Sequence, residues 1–171
     1  MATQNIAYAD TADTVGLTIT LASLATSSTL VVGRASTAVV NTSNLYLDCL
    51  LSGLITTGTS PTAGVIELWV YAPIKIATST VTYPDSITGT DAAKTFASVE
   101  AKYGLTQAAA IITNASSDIG YSINPISIAS LFGGSMPTHW GVFVTHDTAV
   151  NLNATGGNHY LEYQGIELTS A

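Results

Sequence analysis

A strict alternation of side chains near the C-terminus constrains this chain more than any other feature of its sequence. In residues 139–146, Trp140, Val142 and Val144 occupy every second position, with Gly, Phe and Thr between and after them. Side chains of a β-strand point alternately to its two faces, so a two-residue period predicts a strand. We therefore expect a β-strand here, with Trp140 on the same face as the two valines.

A second strand pattern follows after a polar turn. Residues 151–158 are rich in Asn and Gly, which tolerate the backbone conformations of a chain reversal. In residues 159–169, Tyr160, Glu162 and Gln164 share one face, while Leu and Tyr occupy the other. The two segments and the turn between them predict a hairpin that closes the fold.

Similar patterns recur upstream. Alternation predicts strands in residues 15–21, 45–56 and 65–71, and a short apolar run predicts another in residues 30–34. Gly and Pro in the loop 57–64 predict that the strands on either side of it form a second hairpin.

Helical signals are weak by comparison. Residues 91–103 leave a short helix and a loop equally open, and residues 126–132 fit either a strand or one helical turn. Many short strands with at most one short helix predict an all-β fold, a single-domain β-sandwich with the jelly roll as first choice. The expected organisation is an N-terminal arm in residues 1–12, which could also be an edge segment, and a β-sandwich domain in residues 13–171.

Composition limits the partners that such a domain can bind. Only 9% of the 171 residues are charged, against about 25% in an ordinary soluble protein, so the surface must be rich in hydroxyls and amides. The net charge is −7, and the basic residues are spread singly: Arg34, Lys75, Lys94 and Lys102. This distribution predicts no nucleic-acid binding. We also expect no membrane partner, because the sequence shows no apolar span and no signal-peptide pattern.

The histidines and the single cysteine do not predict a metal site. An extended strand separates His139 from His146 by about 23 Å, so these two cannot share an ion. His146 and His159 flank the polar turn, and for this pair loop-anchoring hydrogen bonds are favoured over a metal. Cys49 lies among apolar, strand-forming residues and is interpreted as a small core residue rather than a reactive thiol.

Catalytic machinery is not recognisable in the sequence. The 11 acidic residues are too scattered to predict a pair of carboxylates for acid–base chemistry. The chain has neither a Gly-x-Ser-x-Gly turn nor a glycine-rich phosphate loop. We therefore expect no enzyme activity, no catalytic residue, no cofactor and no metal.

The strand predicted in residues 65–71 suggests an interaction surface. One face is aliphatic and suffices for a core, and the opposite face carries the candidate interface residues, which are Val65, Glu67, Trp69 and Tyr71. Large aromatic residues in series are unusual on the solvent face of a monomer. We therefore expect a homo-oligomer, a trimer or a dimer, with Trp69 buried between subunits. The alternative is that Trp69 is buried within one chain, in the second layer of the sandwich or under the loop 73–90.

Three segments of the sequence resemble small virion proteins of tailed bacteriophages. They are ISIASLFGG (126–134), WGVFVTHD (140–147) and NLNATG (151–156), and the similarity extends upstream through residues 30–71. The resemblance implies a capsid decoration or cement protein, a β-sandwich or jelly roll that assembles as an oligomer on the major capsid protein and reinforces the shell. It implies a location in the virion after synthesis in the host bacterial cytoplasm, and it offers no catalytic residue.

A second function class is a carbohydrate-binding β-sandwich, such as part of a phage receptor-binding apparatus. Tyr46, Trp69 and Tyr71 could offer flat faces on which sugars stack. Aromatic residues on a sheet face more often serve packing than ligand binding, so this reading ranks second.

Overall fold

The computed structural model describes residues 4–9, 14–77 and 80–170. In chain order its strands are β1 (Gln4–Tyr8), β2 (Val15–Gly16), β3 (Val32–Ala35), β4 (Val39–Val40), β5 (Asp48–Thr56), β6 (Gly64–Tyr71), β7 (Lys75–Ala77), β8 (Thr80–Thr82), β9 (Ala92–Thr95), β10 (Thr106–Thr113), β11 (Gly120–Ser127), β12 (His139–His146) and β13 (Tyr160–Ser170). The helices are α1 (Val99–Lys102) and α2 (Ile128–Leu131), and Pro84–Ser86 and Gly156–Asn158 form 3₁₀ turns. The chain is all-β, as predicted.

Two antiparallel sheets form the sandwich. The first sheet has the order β1-β13-β5-β11, with β2 also paired to β13, and the second has the order β10-β6-β12-β3-β9, with β4 paired to β12. If β1 and β2 are taken together as one edge strand, the chain crosses between the sheets at β2–β3, β4–β5, β5–β6, β10–β11, β11–β12 and β12–β13. That is the Greek-key order of a jelly roll, the fold that the sequence predicted as first choice.

Both predicted hairpins are wrong, although the strands themselves are present. β12 and β13 lie in different sheets, and so do β5 and β6. The connections 57–63 and 147–159 are longer than the usual two- to five-residue hairpin loop, and they span the gap of about 10 Å between packed sheets. The two-residue period identifies strands, but it carries no information on which sheet receives each strand.

The core lies between the sheets and is built from the alternating residues that the sequence singled out. Its fully buried members include Cys49, Leu51, Ile55, Ile66, Leu68, Val70, Trp140, Val142 and Val144. Trp140 packs edge-on against Tyr163 of the opposite sheet, with ring centres 5.3 Å apart. Trp140 and its two valine neighbours therefore share the inward face, as predicted.

A second, smaller core lies outside the second sheet. The connection from β6 to β10, which we call the excursion 72–105, adds β9 to the edge of the second sheet, and its described residues fold over the outer face of that sheet. Tyr83, Ile87, Phe96 and Leu105 of this excursion pack on side chains of the sheet. Phe96, for example, meets Phe143 edge-on, with ring centres 4.9 Å apart. One outer face of the sandwich is thus covered by the chain itself.

The described residues contain two α-helices, one more than the sequence predicted. Each is a single turn held by a serine at its N-terminus, because Ser98 accepts the Ala101 N–H and Ser127 accepts the Ser130 N–H. The region left open between helix and loop, residues 91–103, forms β9 before α1 begins.

Candidate interaction surfaces

The face of β6 that the sequence predicted as an interface is buried within one chain. Trp69 is 5% exposed and Tyr71 is fully buried, while Val65 and Glu67 are partly buried. The excursion 72–105 covers the two aromatic rings, so they are sequestered without a second subunit. This corrects the expectation that Trp69 is covered by a subunit contact, and the intrachain alternative describes its position.

A buried ion pair fastens α1 to this face. The Lys102 ammonium lies 2.5 Å from Oε2 of Glu67 and donates a 2.8 Å hydrogen bond to the Leu30 carbonyl. The Trp69 indole N–H donates to the same Glu67 oxygen at 2.8 Å, and the ammonium stands 4.8 Å from the Trp69 ring centre. Lys102 is 1% exposed. Glu67 and Trp69 thus pack against α1 of the same chain.

Tyr71 is likewise buried under the loop 73–90. Its hydroxyl donates to the Ser36 carbonyl at 2.7 Å, and its ring packs edge-on against Tyr83 with centres 5.2 Å apart. Burial raises the pKa of Tyr71 well above that of a free phenol, so the side chain is neutral. Gly141 leaves room for the ring, since any side chain there would clash with it.

Because these side chains are buried, they cannot form the aromatic surface considered for sugar stacking. Trp69 and Tyr71 are inaccessible to a ligand. Tyr46 is partly buried, with its ring against the backbone of Gly165. A sugar-binding role would therefore need a different site from the one the sequence predicted.

The exposed apolar surface lies on the first sheet instead. Ile6 faces Leu168, and Tyr8 faces Ile166, across the β1–β13 pairing. Ile6 is 72%, Tyr8 54% and Leu168 51% exposed. We refer to these four residues as the apolar strip. It lies on the outer face of the sheet, because Leu161 and Tyr163, at odd positions of β13, point into the core.

Half of the strip, Ile6 and Leu168, lies on a two-stranded projection of the sheet, whereas Tyr8 and Ile166 lie where β5 still pairs with β13. β5 pairs with β13 only as far as Ile166, so residues 167–170 pair with β1 alone. A two-stranded ribbon is marginally stable in water unless something packs on it. For residues 1–12 the sequence left an arm or an edge segment open, and Gln4–Tyr8 forms an edge strand, in which Ile6 and Tyr8 alternate with Asn5 and Ala7. Residues 1–3 and 10–12 of that arm lie outside the described residues.

A polar cleft of about 370 Å³ opens at one end of the jelly roll. Loops β2–β3, β5–β6, β10–β11 and β12–β13 line it, and Asp118 is the only charged residue among the lining side chains. Asn153 donates its amide N–H to the Asp118 carboxylate at 2.7 Å. The rest of the lining is hydroxyl, amide and small apolar groups, a surface suited to a neutral polar ligand. The sequence did not predict this cleft, because four separate loops form it.

The two histidines near the polar turn anchor loops. His146 is fully buried, with Nε2 3.0 Å from the Leu24 carbonyl and Nδ1 3.0 Å from the Thr148 hydroxyl. Nε2 of His159 lies 2.8 Å from the Asn153 carbonyl, and its Nδ1 accepts the Thr56 N–H. These are the loop-anchoring hydrogen bonds that the sequence favoured. Within the described ranges, no three His, Cys, Asp or Glu side chains cluster as metal ligands would.

Cys49 lies in the core between the sheets and is fully buried. Burial raises the pKa of its thiol to about 12, and the neighbouring Asp48 carboxylate acts in the same direction. A thiol so placed is a weak nucleophile. This position matches the interpretation of Cys49 as a core residue.

Comparisons with known proteins found no matching family model, curated protein or solved structure. Among the described residues, no helix is long and apolar enough to cross a membrane. The proposals below therefore depend on the geometry of this chain and on the resemblance of its three sequence segments.

Proposed function

We propose that this chain is a structural virion protein, a capsid decoration protein that binds the major capsid protein of a phage shell as an oligomer. The jelly roll supports the proposal, since it recurs in viral capsid proteins, although it also occurs in lectins and enzymes. The resemblance of the three segments to small phage virion proteins points the same way.

The apolar strip is the observation that carries the proposal. Ile6, Tyr8 and Leu168 are each more than half exposed and lie side by side at the edge of the first sheet. Contiguous exposed apolar groups on a soluble domain mark a binding surface. A shell offers this edge a fixed surface to pack on, and burial of the strip would stabilise both partners.

Co-sedimentation with purified shells of the phage that encodes the protein tests this proposal. Leu168→Ser removes apolar surface from the strip without altering the backbone pairing of β13, and we expect it to weaken shell binding about tenfold or more. Ile112→Ser is the matched control, because Ile112 is 78% exposed but lies on β10 of the other sheet. Wild-type protein that fails to bind shells, or two variants that bind equally, would contradict the proposal.

The polar cleft favours one alternative function, the recognition of a neutral glycan. Its side chains offer hydrogen-bond donors and acceptors around the Asp118 carboxylate, a chemistry that matches sugar hydroxyls. A glycan array read with wild type and Asp118→Asn tests this alternative. Glu162→Gln, a carboxylate outside the cleft, is the matched control. Glycan binding that is lost only in Asp118→Asn would favour the sugar-binding role, and no binding to any glycan would reject it.

A further inference from the structure

We infer that the free edge of β1 is a self-association site at which a second copy of this chain adds its own β1, antiparallel and related by a two-fold axis. This inference rests on the proposed function, since it specifies how the decoration protein forms its oligomer. The proposed shell contact uses the apolar face of the ribbon, whereas the self-association site is the hydrogen-bonding edge of the same strand.

Among the described strands, β1 is the least protected edge of the sandwich. Natural proteins protect edge strands with proline, bulges or lysine. β11 carries Pro125 and a register shift, β10 carries a bulge after Gln107, and β9 carries Lys94. β1 reads QNIAY, with no proline, glycine or charge, and its register against β13 is unbroken.

The backbone N–H and C=O groups of β1 point alternately towards β13 and away from the sheet. The Ala9 N–H donates to the Gly165 carbonyl, so by alternation the N–H and C=O of Ala7 and Asn5 also face β13. Those of Gln4, Ile6 and Tyr8 then face outward, where no described residue pairs with them. A second β1 centred on Ile6 would satisfy them with about six hydrogen bonds.

β1 also carries no charge that would repel a second copy. Each copy carries a net charge of −7, so two copies repel, and this repulsion is smallest when the surfaces that meet carry no charge themselves. β1 contains no charged residue, and in the two-fold register Ile6 lies opposite Ile6 of the second copy while Gln4 lies opposite Tyr8. No like charges are brought together. The pairing also converts the two-stranded ribbon into a four-stranded one, which relieves its marginal stability.

Charge-swapped variants at Ile6 test the two-fold register directly. In sedimentation velocity without shells, wild type is expected to be a dimer. Ile6→Lys and Ile6→Glu should each associate about tenfold or more weakly, because like charges would face each other, and their equimolar mixture should recover a heterodimer. A monomeric wild type, variants that dimerise like wild type, or a mixture that fails to recover would overturn the inference. Ile112→Lys is the matched control and should dimerise normally.

Amide hydrogen exchange supplies a readout that does not depend on substitutions. As concentration rises, the amides of Ile6 and Tyr8 should become protected, while those of Asn5 and Ala7, bonded to β13, should be protected throughout. Equal concentration dependence at all four amides would overturn the register. Shell binding by a monomeric protein would reject this inference but leave the proposed binding to the shell standing. A dimer that does not bind shells would support this inference and reject the proposed function.

Discussion

Lys102 and Glu67 form an ion pair, 2.5 Å from ammonium to carboxylate, inside a single chain. The pair closes the excursion 72–105 over the sheet face that carries Trp69 and Tyr71. This contact explains why the β6 face with Trp69 and Tyr71 is buried rather than exposed to solvent. It leaves the apolar strip on the opposite side of the molecule as the candidate for contact with other proteins.

Removing one partner of the Glu67–Lys102 pair should lower the free energy of unfolding more than removing both partners does. Glu67→Gln leaves the Lys102 ammonium buried without a counter-charge, and we expect a loss of about 3 kcal/mol in the free energy of unfolding. Glu67→Gln combined with Lys102→Met should recover part of that loss, since no charge is then buried. Urea denaturation measures both. A single variant as stable as wild type would show that the ion pair does not hold α1 in place.

Trp69→Ala should act on the fold rather than on assembly. The side chain fills the space under α1, so truncation is expected to lower the free energy of unfolding by about 3–5 kcal/mol. Self-association of the protein that remains folded should be unchanged. Denaturation and sedimentation of the same sample separate the two effects. Loss of self-association without loss of stability would restore the β6 face as a subunit interface.

Tyr71→Phe removes a single hydrogen bond and little volume. The Ser36 carbonyl would lose its buried hydrogen-bond donor, and we expect the free energy of unfolding to fall by about 1–2 kcal/mol. Tyr103→Phe is the matched control at a tyrosine that is 64% exposed, and it should have almost no effect. Thermal denaturation of both variants gives the comparison. Equal midpoints would mean that the Tyr71 hydroxyl contributes nothing net to stability.

Acid should destabilise the protein through His146. Burial lowers the pKa of this imidazole in the folded state, against weaker opposing effects of the Leu24 carbonyl and Asp147. The unfolded chain, with a histidine pKa of about 6.5, then binds the proton more readily, so stability is constant above that pH and falls as the pH drops below it. His146→Gln should flatten the stability profile between about pH 6.5 and 5. A wild-type profile that is flat across this window would refute the assignment.

Cys49 should be unreactive while the protein is folded. Burial of the thiol, together with a pKa raised to about 12, predicts no modification by a thiol reagent in native buffer and one equivalent of modification in denaturant. Thermal midpoints with and without reductant should coincide, because the chain has a single cysteine. Rapid labelling of the native protein would show that the sandwich opens far more readily than its packing suggests.

Local pattern predicted most of the long strands of this fold but not their partners. Of the strand predicted in residues 15–21, only Val15–Gly16 is formed. The period of Trp140, Val142 and Val144 identified both a strand and its inward face, because a strand with one face in a core must alternate. The same period could not show that β12 and β13 belong to different sheets, since that depends on how loops span the sandwich. Trp69 was misassigned for a related reason. What covers an outer face is decided by a distant segment, here α1, whose approach leaves no local signal.

The candidate surfaces were harder to predict than the fold. Ile6 and Tyr8 show the two-residue period, but five residues at a chain terminus do not reveal that they pair with β13 across the whole sequence. Asp118 and Asn153 meet only because the ends of jelly-roll strands bring four loops together. Contacts between residues so far apart in the chain require the topology, which the two-residue period does not encode.

If the proposed decoration role is right, a phage encodes this chain, and the most direct test is a cryo-electron microscopy map of that phage's particle. The account predicts copies of the jelly roll on the outer surface of the shell, with Ile6 and Leu168 packed against the major capsid protein. Copies found only at the tail with the polar cleft facing outward, or a particle that lacks the chain altogether, would contradict it.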